Sequence, residues 1–466
     1  MPRMPRMARL TARRGIALAG ALAIPLALAP AASAHDNGGN SHGNASTDVR
    51  AAYYTQWSIY GEQFFLKNAI DDGDAAHLNE IDYAFINVAP NTAIAGSPIE
   101  CSSADPNADY QTGIPAANSI DGQAGSWGDG LQGNFKQILE LKQKFPNIKV
   151  VASLGGFTLS DWFSDASLTK QAREHLVQSC VNMLIKGNLP GLPEGAAKGV
   201  FDGIDIDWEY PGTAGNHTVT STGDPTARPQ DTANFTALLK EFRSQLDKAA
   251  TSTSGKKPHY LLTAALSANP SNIAKLAVKD VSRTLDQLDV MDYDFHGPWE
   301  ATGPTDFQSE IFPSPQETPA NQFSVDSSIN AYLAAGADRS KLIVGVPFYG
   351  HGWTGVPDGG THGLYQPATG PAAPLASDPG AVAGTESWKD ISSLGYAPYR
   401  DPTTGGYWVY DSASQTMWAV DDPTEIVQKM QYVTNRNLGG AFAWSLDNDD
   451  TAGSLGTALD LGLAGH

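Results

Sequence analysis

From residue 50 onward, short apolar runs alternate with longer stretches of helical periodicity. The runs at 51–55, 81–88, 149–154, 203–209, 260–266, 288–295, 342–348 and 440–445 are strand-length and rich in β-branched, aliphatic and aromatic residues, which predicts eight mostly buried strands. Between several of them the pattern changes period. Phe235, Leu238, Leu239, Phe242 and Leu246 fall at i, i+3, i+4, i+7 and i+11, one face of a helix; 138–144 and 425–433 read the same way. Eight strands separated by helices predict an α/β fold, a (β/α)8 TIM barrel. An open doubly wound sheet is the alternative, weakened because no G-x-G-x-x-G follows an early strand.

The spacing is uneven. Between the seventh and eighth runs about 70 residues are left over once a connecting helix is allowed for, more than a simple βα loop needs. They contain strand-like aromatic text, Tyr407-Trp408-Val409-Tyr410 and Thr416-Met417-Trp418-Ala419. The expected layout is a catalytic barrel over 49–350 and 425–466, with a small α+β insertion domain at 351–424. Loops that follow barrel strands sit at the catalytic face, so the insert is expected to wall the site.

The first 34 residues carry a different signal. Arg3, Arg6, Arg9, Arg13 and Arg14 precede an Ala/Leu-rich run from 16 to 29 and an Ala32-Ser33-Ala34 cleavage pattern. This predicts a signal peptide at 1–34, a mature start at His35 and a secreted protein. The run is short for a membrane anchor, and the Arg13-Arg14 pair also suits a twin-arginine signal. Residues 35–48, polar and rich in Gly and Asn, read as a flexible leader. No long Pro/Thr linker follows, so no appended binding module is expected.

Charge narrows the partners. The whole chain has 30 Lys+Arg against 50 Asp+Glu; removing the five leader arginines leaves 25 − 50 = −25. Such a surface disfavours nucleic acid and anionic membrane and suits a neutral polymer. Cys101 and Cys180 are the two cysteines; export permits a disulfide, while the apolar stripe of Leu176, Cys180, Met183 and Leu184 equally permits a buried thiol. Two cysteines and scattered histidines without H-E-x-x-H give no metal framework, and no cofactor is expected. A monomer is the default.

The chemistry concentrates in Phe201-Asp202-Gly203-Ile204-Asp205-Ile206-Asp207-Trp208-Glu209-Tyr210. Side chains alternate along a strand, so Asp205, Asp207 and Glu209 share one face and Ile204, Ile206 and Trp208 the other. In a surface strand the acids would face water. In a barrel the outer face is covered by helices, which suits the apolar set, and the acids then point into the lumen. Closely stacked carboxyls cannot all ionise cheaply. Glu209, nearest the open end, is the natural general acid, its pKa raised by its neighbours. Asp202 has the opposite parity and reads as structural, hydrogen-bonded to backbone.

This row resembles the D-x-x-D-x-D-x-E signature of glycoside hydrolase family 18 chitinases, with Tyr210-Pro211 following it as in the family. Ser153-Leu154-Gly155-Gly156 is similar to the family's S-x-G-G, Met291-Asp292-Tyr293-Asp294 to its M-x-Y-D, and Gly440-Ala441-Phe442-Ala443-Trp444 to its last-strand tryptophan. The insert after Gly345–Gly350 resembles the chitin-insertion domain. The resemblance implies hydrolysis of chitin and chito-oligosaccharides with retention, an exception to two-carboxylate retention: the substrate's N-acetyl oxygen attacks the anomeric carbon and gives an oxazolinium ion. It implies Glu209 as proton donor and then base, Asp207 as holder of the acetamide N–H, and Asp205 as the deeper acid sharing a proton with Asp207. Tyr293 and Asp294 would orient the acetamide and hydroxyls, with Met291 beside them. Tyr53 and Ser153 would join the network beneath Asp205, and Trp444 would floor the cleavage subsite.

Phe157, Trp299 and Trp353 follow strand ends, so they are expected to face the cleft, as sugar platforms or as loop packing. The chain departs from the family at two points. His351 stands where many relatives have Arg, and His lacks the permanent donor fork; Phe157 replaces a common Trp. Two other functions share the motif or fold: an endo-β-N-acetylglucosaminidase on N-glycans and a non-hydrolytic chitin-binding lectin.

Overall fold

The computed structural model describes residues 48–94, 96–250, 258–317, 322–375 and 382–465. The expected signal peptide at 1–34 and nearly all of the leader at 35–48 lie outside the described residues.

Eight parallel strands close into a barrel: β1 Val49–Thr55, β2 Glu80–Pro90, β3 Lys149–Gly155, β4 Gly203–Asp207, β5 Leu261–Ser267, β6 Leu288–Met291, β7 Leu342–Pro347 and β8 Gly440–Trp444. β1 pairs with both β2 and β8, which removes both sheet edges. All eight coincide with the apolar runs. The fourth and sixth end early, so Glu209, Tyr293 and Asp294 sit on the loops just past their strands. A ninth strand, Ile99–Ser103, pairs antiparallel with β2; the sequence reading did not separate it from its loop.

Alternation sorts each strand into two environments. Ile204, Ile206 and Trp208 join the large outer cluster with Phe235, Leu238, Leu239 and Phe242 of the helix Asp231–Ala249. Tyr53, Phe85, Ile343 and Phe442 form a separate cluster inside the lumen. Trp208 is clamped between Phe163, stacked at 5.6 Å, and Phe235, edge-on at 5.9 Å. An immobile Trp208 fixes the backbone on which Asp207 and Glu209 stand.

The insert is a six-stranded antiparallel sheet around Tyr349–Thr354, with the helix Trp388–Ser393. Its sheet begins two residues earlier than the expected 351, directly after β7. Its core of Trp353, Trp408, Tyr410 and Met417 also takes in Phe307 from the loop after β6. That loop is stitched to both bodies: Gln308 donates to Tyr349 O at 2.6 Å and Ser309 to Asp292 O at 2.5 Å. Among the described residues no helix is long and apolar enough to cross a membrane.

Cys101 and Cys180 form a disulfide, which decides between the two readings of the pair. It ties the strand Ile99–Ser103 to the helix Lys170–Cys180 across a separation of 79 residues. A closed loop of that length restricts the unfolded chain, so replacing both cysteines with alanine is expected to lower the unfolding free energy by about 2–5 kcal/mol in chemical denaturation. Unchanged stability would contradict a structural role.

Candidate active site

The acid row lines the lumen. Asp205 is fully buried and Asp207 is 3% exposed, while Glu209 is partly exposed at the strand's open end. Register explains how Asp205 is held. β4 lies between β3 and β5, and Ser153 and Thr263 stand directly beside Asp205 on the two neighbours. Ser153 Oγ and Thr263 Oγ1 each donate to the carboxylate at 2.7 Å, and Tyr53 OH donates from β1 at 3.3 Å. Burial raises the pKa of Asp205 while these three hydroxyls pull it back. Asp205 is therefore the member of the row best equipped to hold charge.

Asp207 lacks such help. Its Oδ1 is buried with no hydrogen-bond partner. Burial, then the charges of Glu209, Asp205 and Asp289, push its pKa well above the carboxylate range. Glu209 is pushed up to about 7 by burial, with the Tyr210 hydroxyl opposing and the Asp294 charge adding. Deeper in the lumen, burial also drives Asp82 and Asp289 well up and Glu80 to about 7. A bare carboxyl that keeps its proton, set between an anchored carboxylate and a proton-loaded glutamate, can relay charge along the row.

The glycine pair after β3 sets the backbone of this region. Gly155 has φ +100°, and a Cβ there would meet Asp207 O at 2.5 Å; at Gly156, φ +82°, it would meet the Phe85 ring at 2.5 Å. Gly156 N–H and Ser160 Oγ both donate to Asp207 O, at 2.8 and 2.9 Å, and Ser160 Oγ accepts from Glu209 N–H at 3.1 Å. Ser160 thus joins the backbones of two acids. Asp202 accepts from Val150 N–H at 2.9 Å and pairs with Lys142 at 2.7 Å, outside the lumen.

Tyr293 and Asp294 face the row from the loop after β6. Gly345 makes room for Tyr293: a Cβ there would lie 2.8 Å from the ring. Asp294 takes a left-handed backbone, φ +58°, and its side chain is about half exposed. Burial alone would raise its pKa, yet His351 Nε2 at 2.7 Å and Tyr349 OH at 2.5 Å hold it low. His351 Nε2 is thus engaged with Asp294. Trp444 is partly exposed at the end of β8, backed by Tyr53 at 5.1 Å and stacked on Phe85 at 5.6 Å; Met291 packs in the same cluster.

Phe157 and Trp299 are exposed, at 57% and 58%. Phe157, Ser160, Asn216 and His217 lie around Glu209, and Trp299 stands edge-on to His351 at 5.2 Å. Trp353 is a correction. It is fully buried in the insert's core, and its indole N–H donates to Glu300 O at 3.1 Å. It belongs to the insert strand Tyr349–Thr354, so following a barrel strand did not place it in the cleft. Thr263, Ser160, Tyr210, Asp82 and Asp289 were missed. For Thr263 only the inward parity of a polar residue in an apolar run was readable; its depth beside Asp205 comes from the register.

The sequence profile of the glycosyl hydrolases family 18 matches residues 49–449. The chain is similar to chitinase 63 of Streptomyces plicatus, 32% identical over 92% of this chain, and to chitinase C of Streptomyces lividans, 33% identical over 89%. It spans only 62% and 60% of those two proteins. Among solved structures, the catalytic domain of psychrophilic chitinase B from Arthrobacter TAD20 superposes with a TM-score of 0.79 at 34% identity, covering 90% of this chain and 96% of that one.

Thr263→Val keeps the side-chain volume and removes one donor to Asp205. It is expected to cost about 1–3 kcal/mol of unfolding free energy, and more at pH 7 than at pH 4, because the donor favours the ionised carboxylate. Denaturant titration at the two pH values checks this; an effect independent of pH would contradict it.

Proposed function

Because this chain belongs to the glycosyl hydrolases family 18, we propose that it hydrolyses the β-1,4 linkages between N-acetylglucosamine units of chitin, with retention, through attack by the substrate's own acetamide. The observation that carries this reading is the unpartnered carboxyl of Asp207 between the hydroxyl-anchored Asp205 and the proton-loaded Glu209.

In the first step Glu209 gives its proton to the glycosidic oxygen and the bond from that oxygen to the anomeric carbon breaks. The acetamide oxygen bonds to the same carbon, forming a cyclic oxazolinium cation. Asp207 Oδ1, free of internal partners, takes the acetamide N–H and holds it in the attacking rotamer. Positive charge develops next to the row, where Asp205 supplies a fixed counter-charge in a site with little water. Tyr293, with its pKa raised by burial and by the Asp207 charge, stays a protonated donor toward the acetamide. In the second step water gives a proton to Glu209, bonds to the anomeric carbon and reopens the ring. Stereochemistry is kept because the two displacements use opposite faces.

Trp444 offers a partly exposed indole face at the end of β8, and a sugar's C–H face stacks on such a surface. Phe157 and Trp299 are exposed aromatics along the same rim. The polymer identity rests on the relatives' names and on the insert that flanks the site. A chitin-binding lectin is disfavoured because Glu209, Asp207 and Tyr293 are all present. Export to the cell exterior, expected from the leader, fits an insoluble extracellular substrate, and the protein is proposed to act there as a monomer.

NMR of chito-oligosaccharide digests tests the reading, with an N-glycan as the second substrate. The wild-type protein is expected to release the β-anomer first from chito-oligosaccharides and to leave the N-glycan largely intact. Glu209→Gln is expected to bind oligosaccharide while losing turnover by about two to four orders of magnitude. Early α-anomer, or near-normal turnover by the variant, would contradict the mechanism; preferential N-glycan cleavage would reassign the substrate.

A further inference from the structure

The loop after β6 leaves the catalytic Tyr293-Asp294 pair, dips between barrel and insert, and gathers a second polar cluster on the way. His296 is 5% exposed and Asp306 3%. One ligand-capable atom each from His296, Asp306 and Glu317 lie within 4.8 Å of one another. Scattered along the sequence as they are, these residues gave no metal framework; the fold brings them together.

The imidazole is arranged as a ligand. His296 Nδ1 is 2.9 Å from Glu300 Oε2; with Nδ1–H donated to Glu300, the neutral imidazole presents the Nε2 lone pair to the cluster. Nε2 is buried with no hydrogen-bond partner and lies 3.9 Å from Asp306 Oδ2. A histidine whose far nitrogen is held by a carboxylate while the near one points at other anionic donors is the arrangement of metal-bound histidines. Asp306 is oriented by accepting the Phe307 N–H at 2.8 Å. Both Glu317 oxygens are buried without a partner, as are both of Glu310 beside the cluster.

Charge supplies the second argument. Asp306 is 3% exposed and Glu310 fully buried, and the oxygens of Glu310 and Glu317 are unpaired. The nearby cation, Lys429, is already committed to Asp421 and to Ser309 at 2.7 Å. Buried carboxylates around one imidazole require protons, a protonated His296 or a bound cation.

We propose that His296, Asp306 and Glu317 form a structural site for a divalent transition-metal ion of the zinc class. One imidazole and two carboxylates suit zinc better than calcium, which prefers all-oxygen shells of six or more donors. Metal–ligand bonds of about 2.0–2.1 Å require the three donors to close in slightly, with water completing the shell. The ion would pin residues 296 and 317 together and so brace the loop that carries Tyr293, Asp294 and Trp299. Its role is in holding the loop, away from the reacting bond.

The test uses the full chain, stripped with a chelator and dialysed, then titrated with Zn2+, Mn2+ or Ca2+. Metal content, binding by calorimetry and thermal unfolding are the readouts. One Zn2+ per chain is expected, with a rise in Tm, Mn2+ weaker and Ca2+ weaker still. Glu317→Gln, nearly isosteric and partly exposed, and Asp306→Asn are each expected to weaken Zn2+ binding at least tenfold while folding normally in circular dichroism. Binding that survives unchanged in both variants would overturn the assignment. So would the absence of stoichiometric Zn2+, or saturation by Ca2+ alone.

Discussion

The whole structure depends on keeping a stack of carboxyl groups dry. Asp82, Asp205, Asp207 and Asp289 are buried in the barrel lumen, with Glu80 below and Glu209 at the mouth. Ionised together at low dielectric they would drive the strands apart, so the fold divides them into unequal roles. Asp205 receives three hydroxyl donors and holds charge. Asp207 receives none and holds a proton. Glu209 is poised near neutrality by burial. This inequality turns an unfavourable cluster into a line along which a proton can move.

The scaffold serves that division. Parallel closure places Ser153 and Thr263 at the same depth as Asp205 on either side. Trp208, locked among Phe163 and Phe235, fixes the strand from outside. Gly155 and Gly156 let the neighbouring loop come close enough for Ser160 to join Asp207 and Glu209 through their backbones. Two strands along from the acids, Tyr293 and Asp294 depend on the loop after β6, which the insert grips through Phe307 and Gln308. The insert therefore supports the loop that carries Tyr293 and Asp294.

Much of this was legible in the sequence. Strand parity placed Ile204, Ile206 and Trp208 outside and the acids inside, and the eight runs located every barrel strand, because a buried parallel strand is apolar on both faces apart from what function demands. The helix stripe from Phe235 to Leu246 was equally plain. Cross-strand relations were not legible. Thr263 looks like any strand threonine until register sets it beside Asp205, and Ser160 acts through a loop whose path no periodicity encodes. Trp353 follows a barrel strand in sequence, yet β7 runs straight into the insert's central strand and carries the indole into that core. The disulfide needed geometry to decide it. His296, Asp306 and Glu317 are spread over a loop with no spacing rule to mark them.

The central claim is the unequal protonation of neighbouring acids, and neutron diffraction from deuterated crystals near pH 6 reads it directly. Nuclear density for a deuteron on Asp207 and on Glu209, with Asp205 bare and accepting deuterons from Ser153, Thr263 and Tyr53, is the predicted result. A deuteron resident on Asp205 with Asp207 bare would contradict the account.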